Sequence, residues 1–269
     1  MNQPTRRPSP SVTVSVVSHA QGEWVKLLLQ DLERYSRAVI ARVIVTCNVP
    51  EPLPFAASDF SLPVEIITNT RPKGFGANHN RALARCASDW LLIVNPDVRL
   101  TSDALSALLA HASQYDALLA PQEVTADNSL LDGPRGPITP LELLQRRVLK
   151  HPAVPPGHGG WVKGMFMLAR TAALQQVRGF DERFFLYGED ADLCARLMLA
   201  GWQVVHVPQV TVIHDWQRSS RRSLRHLRWH IASLLRLWAS PVFWRYWALV
   251  RRLNRNGENV DRPMPPGKA

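Results

Sequence analysis

Glu189, Asp190 and Asp192 crowd into the stretch "FLYGEDADLCARL", residues 185 to 197, where the spacing marks the first turn of a helix. The helix dipole stabilises negative charge there, so an acidic helix start accounts for all three without any chemistry. Three close carboxylates also repel, and in a pocket that repulsion can raise one of them into the range of a general base. Asp97 closes the apolar run "WLLIV" through Asn95-Pro96-Asp97. A carboxylate at the end of a buried strand can ligate an oxygen-seeking divalent cation, and the same three residue types make an ordinary strand-ending turn. His214 ends the run "VTVIH". If it shares a rim with Asp97, the two can hold one cation with phosphate oxygens completing its shell; otherwise it is a hydrogen-bonding structural histidine. Gly74 and Gly76, in "NTRPKGFGANHNRAL", allow backbone amides to approach a phosphate at a helix start, or simply form a strand-to-helix turn. The Walker pattern of glycine, lysine and hydroxyl is missing.

Such residues act together only if the chain folds distant strand ends onto one rim. "VTVSVV" (12–17) reads as a strand, residues 22–36 carry helical spacing through Trp24, Leu27, Leu28, Leu32 and Tyr35, and "AVIARVIVTC" (38–47) reads as a second strand. Further strands follow at "PVEIIT" (63–68) and "WLLIV" (90–94), separated by the helix "GANHNRALARCA". The unbroken apolar run of the latter suits a strand covered on both faces. "SDALSALLAHA" predicts a helix capped by Thr101 or Ser102, and "ALLAP" a strand. From 122 to 160 glycines and prolines break the pattern around a helix at 140–149, as in a lid or acceptor-side loop. Order resumes with "WVKGMFMLAR", "TAALQQV", the acidic helix near Glu189 and two paired short strands, "WQVVHV" and "VTVIH". There are no internal repeats. The alternation predicts a doubly wound α/β fold with ligands beyond the carboxyl ends of its strands.

The chain has 269 residues, 46% of them hydrophobic, enough for one large globular domain with an appendage. Its formal charge of +10 suits an anionic partner: nucleic acid, a phosphorylated small molecule or an acidic membrane surface. Cys47, Cys86 and Cys194 stand far apart in apolar stretches, the pattern of a reducing compartment rather than a disulfide framework. With no signal-peptide pattern and no run of the roughly 20 apolar residues a membrane helix needs, the sequence reads as cytoplasmic.

Taken in order, "VTVSVVSHA", "NTRPKGFGANHNRAL", "WLLIVNPDV" and the span from "WVKGMFMLAR" to "VTVIHDWQRSS" resemble a family-2 glycosyltransferase of the GT-A fold, in its rhamnosyltransferase-like branch. The resemblance covers roughly residues 12 to 220, and the co-occurrence of the segments is far more specific than any one of them. It implies a mostly parallel, Rossmann-like central sheet flanked by helices, and an inverting, metal-dependent transfer of a sugar. The implied donor is a nucleoside-diphosphate sugar, dTDP-rhamnose or a UDP-hexose. The implied acceptor is a glycan or a polyprenyl-diphosphate-linked sugar of a bacterial surface polysaccharide such as O-antigen. In the family's terms Asp97 and His214 hold Mg²⁺ or Mn²⁺, Asp190 is the base, and Glu189 and Asp192 orient the helix or the acceptor. Ser18, His19, Asn48, Asn69, Lys73, Gly74, Asn80 and Asn95 fall on the donor side, Trp161 and Gly164 on the acceptor side. The chain departs from the family at Cys47-Asn48, where Asp-Asn is usual, at His19-Ala20, where Tyr-Asn is common, and at Asn95, where the metal motif has Asp.

These readings divide the chain into a disordered leader (1–10), a donor half (11–121), an acceptor and base half (122–215), a basic, aromatic extension (216–253) and a polar tail (254–269). In the extension, arginines alternate with Trp229, Trp238, Phe243, Trp244, Tyr246 and Trp247. That mixture suits peripheral contact with an anionic membrane on its cytoplasmic face, and equally a helix pair packed on the domain. Two other functions compete. A nucleotidyltransferase making nucleotide sugars would want a glycine-rich basic loop after the first strand, where "VVSHAQGEW" has none. A nucleic-acid-binding protein would use the charge and the Arg-Trp interleaving; with the resemblance in hand, no nucleic acid is expected.

Overall fold

The structure, a computed structural model, describes residues 11–131, 133–148, 159–214 and 224–256. The leader, Asp215 and the last thirteen residues lie outside them. The elements run β1 (Val12–Ser18), α1 (Gly22–Ser36), β2 (Ile40–Cys47), β3 (Val64–Thr68), α2 (Phe75–Leu83), β4 (Trp90–Val94), β5 (Val98–Arg99), α3 (Ala104–His111), β6 (Asp116–Val124), α4 (Pro140–Val148), β7 (Phe166–Arg170), α5 (Thr171–Gln176), α6 (Glu189–Leu199), β8 (Gln203–His214), α7 (Leu224–Ala239) and α8 (Pro241–Asn256).

One eight-stranded sheet, in the order β3-β2-β1-β4-β7-β6-β8-β5, carries the fold. β1 pairs in parallel with β2 and β4, β2 with β3, and β6 with β8, whereas β7 runs antiparallel to both β4 and β6. The two-residue β5 closes the far edge, antiparallel to β8. Only a short turn separates Val94 from Val98, spanning at most about 14 Å. Their strands stand four places apart in the order, about 19 Å along a flat sheet. The sheet must therefore curl, and the curl brings the end of β8 back to the end of β4.

β4 explains the two-sided core. Trp90, Leu92 and Val94 pack into one cluster with α1 and α3, while Leu91 and Ile93 face the other with α6 and Phe180. A strand alternates its side chains between faces, so an unbroken apolar run is what two covered faces require. Each fully buried Leu, Ile or Val there contributes about 1.5–3 kcal/mol. On α1, Val25, Leu28, Leu29 and Leu32 form the buried stripe.

Several expected boundaries shift. The expected pair "WQVVHV" and "VTVIH" is one strand, β8; its partner register slips at Pro121/Gln122, opposite the segment containing Pro208 and exposed Gln209, where the sequence reading divides it. β6 runs on to Val124, well past "ALLAP". The cap of α3 is Asp103, not Thr101 or Ser102: its carboxylate accepts from Ser106 N at 3.1 Å and from Ser36 Oγ at 2.7 Å, joining the start of α3 to the end of α1. A 3₁₀ turn, Arg37–Val39, delays β2 to Ile40, and α2 stops at Leu83. From residue 224 on, the extension is two helices, the second reaching Asn256.

Candidate active site

The pairing of Val98 with His214 across β5 and β8 sets the first half of the site, because Asp97 immediately precedes Val98. Asp97 Oδ1 lies 3.5 Å from His214 Nε2, and His214 Nδ1 lies 3.3 Å from Glu123 Oε2 on β6. Lys163 Nζ closes the row on Glu123 at 2.7 Å. Burial works against charge on His214, but the hydrogen-bonding carboxylates of Asp97 and Glu123 outweigh it and hold its pKa up to about 9. Burial likewise pushes Glu123 up, and the His214 hydrogen bond and Lys163 bring it below the usual carboxylate range. β5 is also fixed from behind. Arg99 makes a two-pronged contact with Asp31 of α1, at 2.6 and 3.0 Å, and Asp31 accepts from Leu100 N.

Asp97 Oδ1 is buried, and its one close polar neighbour is His214 Nε2, at a distance long for a hydrogen bond, a costly state for a carboxylate oxygen. That buried atom beside an imidazole fits a divalent cation, with Asp97 and His214 as the protein ligands and Glu123 fixing the ring from its other nitrogen. Glu123 is the functional candidate the sequence reading lacks. A charged residue inside a fully buried nine-residue strand was its only trace.

The donor-side asparagines form a scaffold. Asn48 Oδ1 accepts from Lys73 N and Asn69 Nδ2, its amide donates to Lys73 O, and Asn69 also donates to Asn78 and accepts from Arg81. The ends of β2 and β3 thus fix the backbone of Lys73 while its side chain stays exposed. Ser18 is buried and donates to Glu51, which also accepts from the amides of Ala20 and Gly22. His19 is exposed beside Asn48, and Asn95 turns the chain between β4 and β5, its N–H on Met165 O.

Gly74 serves a close approach, but to protein. A Cβ there would lie 2.8 Å from the carbonyl oxygen of Phe185, which accepts the N–H of Phe75 at the start of α2. Asn80 clamps the neighbouring turn by donating to Phe180 O and accepting from Phe180 N. Gly179, at φ +66°, leaves room for that amide, which a Cβ would meet at 2.3 Å. Both contacts tie α2 to the segment leading into α6.

Glu189 and Asp190 begin α6 after two left-handed residues, Tyr187 (φ +73°) and Gly188 (φ +81°). Asp190 accepts from Gly164 N at 3.2 Å and Ala191 N at 2.8 Å. Burial raises its pKa against the pull of those amides. Glu189 is 5% exposed, its Oε2 has no hydrogen-bond partner, and burial together with Asp190 pushes it up to about 8. Asp192 differs. It holds Arg196 at 2.7 Å, and Arg196 donates to the carbonyls of Val177 and Gly179, so its work is in the packing of the turn. Trp161 pairs its backbone with Arg135 and donates its indole N–H to Gly136 O.

α7 lies over the same turn. Ser233 Oγ donates to Leu186 O at 2.9 Å, Tyr187 Oη and His226 Nδ1 share a hydrogen bond of 2.9 Å, and Leu237 lies against Gly188. α8 buries Tyr246 and Val250 against Ala195 of α6. An apolar cleft with about 470 Å³ of open space runs between α6, the α7–α8 elbow, Ile138 and Trp161.

Comparison with known proteins bears on this arrangement. Residues 10–232 match the family described as Glycosyltransferase like family 2. The N-acetylglucosaminyl-diphospho-decaprenol L-rhamnosyltransferase of Mycobacterium tuberculosis is 27% identical over 270 residues, covering 86% of this chain and 87% of its own. Rhamnosyltransferase WbbL of Escherichia coli is 27% identical over 275 residues, covering 95% and 100%. Among solved structures, a mannosyltransferase from Pyrobaculum calidifontis in complex with GDP-Man and Mn²⁺ superposes with a TM-score of 0.62 at 15% identity, over 92% of this chain and 70% of that one.

Proposed function

The chain belongs to glycosyltransferase family 2 and is a glycosyltransferase of the GT-A fold, and on that premise we propose that it is an inverting, metal-dependent hexosyltransferase. Its donor is a nucleoside-diphosphate sugar, dTDP-L-rhamnose before a UDP-hexose, and its acceptor a hydroxyl of a polyprenyl-diphosphate-linked sugar or glycan. The named activities of the two rhamnosyltransferase relatives support that choice. The observation that carries the reading is the buried Asp97 Oδ1, whose one close polar neighbour is His214 Nε2 at 3.5 Å.

Mg²⁺ or Mn²⁺ held by Asp97 and His214 would offset the charge growing on the departing diphosphate. Asp190 takes the proton of the acceptor hydroxyl. The freed oxygen pair bonds to the anomeric carbon, and the sugar–phosphate bond breaks with its electrons leaving on the diphosphate. Attack opposite the leaving group inverts that carbon. Burial and the neighbouring Asp190 push Glu189 up to about 8, while the amides of Gly164 and Ala191 favour the charged form of Asp190 against its burial. Gly164 N and Ala191 N fix the Asp190 oxygens, and Lys73 brings a positive charge to the donor side.

The outer face of α7 exposes Leu227, Ile231 and Leu235 at helical spacing, and from residue 216 to 257 the sequence has no acid. No helix among the described residues is long and apolar enough to cross a membrane. Those features support peripheral contact with an anionic membrane surface, which would place the enzyme where a polyprenyl acceptor is found. A donor panel tests the proposal. Purified protein should slowly hydrolyse one nucleotide sugar in the presence of Mn²⁺ or Mg²⁺ and stop with a chelator. Hydrolysis indifferent to the metal would remove the metal assignment, and no consumption of any donor would remove the donor class.

A further inference from the structure

The turn before the acids carries an aromatic group that neither the metal pair nor the base uses. Phe185 and Trp229 lie ring on ring, centroids 4.8 Å apart at 34°, and His226 stands edge-on to Trp229 at 5.1 Å. Tyr187 closes the group through its hydrogen bond to His226. Phe184, one residue earlier, is 1% exposed, whereas Phe185 is 39% exposed and Tyr187, His226 and Trp229 are partly open. Hydrophobic burial would turn these rings inward. Instead they are held at the surface by left-handed backbone at Tyr187 and Gly188 and by the Ser233 bond to Leu186 O. Strained backbone holding partly open aromatic rings in register is typical of a ligand clamp.

Place and chemistry narrow the ligand. The cluster adjoins Glu189 and Asp190 in sequence, with Tyr187 two residues before Glu189 at the start of α6. The nucleotide end of the donor belongs at the strand ends carrying Ser18, Asn48 and Asp97. A pyranose ring presents a face of C–H groups to an aromatic plane and hydroxyls around its edge to groups such as imidazole and phenol. We propose that Phe185, Tyr187, His226 and Trp229 form a platform for the sugar ring of the acceptor, the ring whose hydroxyl is turned to Asp190. The proposal rests on the reading of this enzyme as a glycosyltransferase with its base at Asp190.

The full chain tests it, with N-acetylglucosaminyl diphosphate on a short prenyl chain as the acceptor probe and metal-dependent donor hydrolysis by the wild type as a check on the premise. Trp229→Ala and Phe185→Ala should each raise the acceptor KM about tenfold, the usual scale of one aromatic stacking contact, with a smaller change in kcat at saturating acceptor. Trp229→Phe, which keeps a ring, should recover most of the loss. Saturation transferred from protein to the C–H protons of the probe's sugar should fade in the two alanine variants. An unchanged acceptor KM in Phe185→Ala, whose ring is the most exposed, would overturn the platform. So would a loss of kcat alone, or undiminished saturation transfer. A wild type that hydrolyses no donor would take away the premise, and the platform with it.

Discussion

Asp97 and Glu123 face cations, His214 and Lys163, while Glu189 and Asp190 face each other. All are largely removed from water. Glu123 falls below the ordinary carboxylate range, and His214 rises to about 9 under the pull of its two carboxylates, holding a proton that a cation at Nε2 would displace. Glu189 rises to about 8 and Asp190 rises with it, so the second group retains its appetite for protons. Burial is common to both; the neighbour decides. On the proposed reading, one group holds a cation and the other accepts a proton, tasks that ask for these two different environments.

Changes on either side should therefore fail differently. Asp97→Ala should bring transfer below detection and remove Mn²⁺-dependent donor binding in calorimetry, with the melting temperature held; unchanged donor affinity would erase the contrast. Asp190→Asn keeps the shape and removes the basicity, so single-turnover transfer should fall by a factor on the order of 10²–10⁴ with donor affinity near wild type. Glu123→Gln should weaken metal affinity about 10–100-fold, read by Mn²⁺ titration, since it loosens the ring that would hold the ion. Asp192→Asn should act on stability instead. Burial raises Asp192 even with Arg196 at 2.7 Å, and the substitution should cost about 1–3 kcal/mol in denaturant melts while donor affinity stays. The last effect is a slope. Because the pKa of Glu189 rises from 4.5 to about 8, the folded chain keeps a proton through that interval that the unfolded chain has lost, so stability falls as pH rises through it. Glu189→Gln should flatten that fall in melts taken across the interval; an unaltered slope would mean that Glu189 is not the holder of the proton.

Local pattern was enough for the first half of the fold. β1, α1, β3 and β4 follow from alternation and helical spacing because each buries its own stripe. β8 did not, since Pro208 and the polar residues around it imitate a turn while the pairing with β6 continues on both sides. Asp97, Asp190 and His214 were readable as types at element ends. That Asp97 and His214 share a rim stood there only as a condition and through the resemblance; the curl that joins β5 to β8 is what brings the two within 3.5 Å. Asn69 and Asn80 show the reverse limit: polar residues near a rim look like ligand contacts, yet their amides are spent on the loops they hold. Glu123 stayed hidden because the sequence reading ends its strand at "ALLAP", and the acid has no partner until His214 and Lys163 are brought to it.

β5 has two residues, and its partner β8 is the last strand of the sheet to be synthesised. A ribosome that has made β1 through β7 has released Asp97, but the imidazole that stands opposite it is still to come. Pairings between such distant parts of a chain form late and slowly. An unfinished or prematurely stopped chain lacks the Asp97–His214 pair, so on the proposed reading the capacity to draw on an activated sugar arrives only once β8 is made.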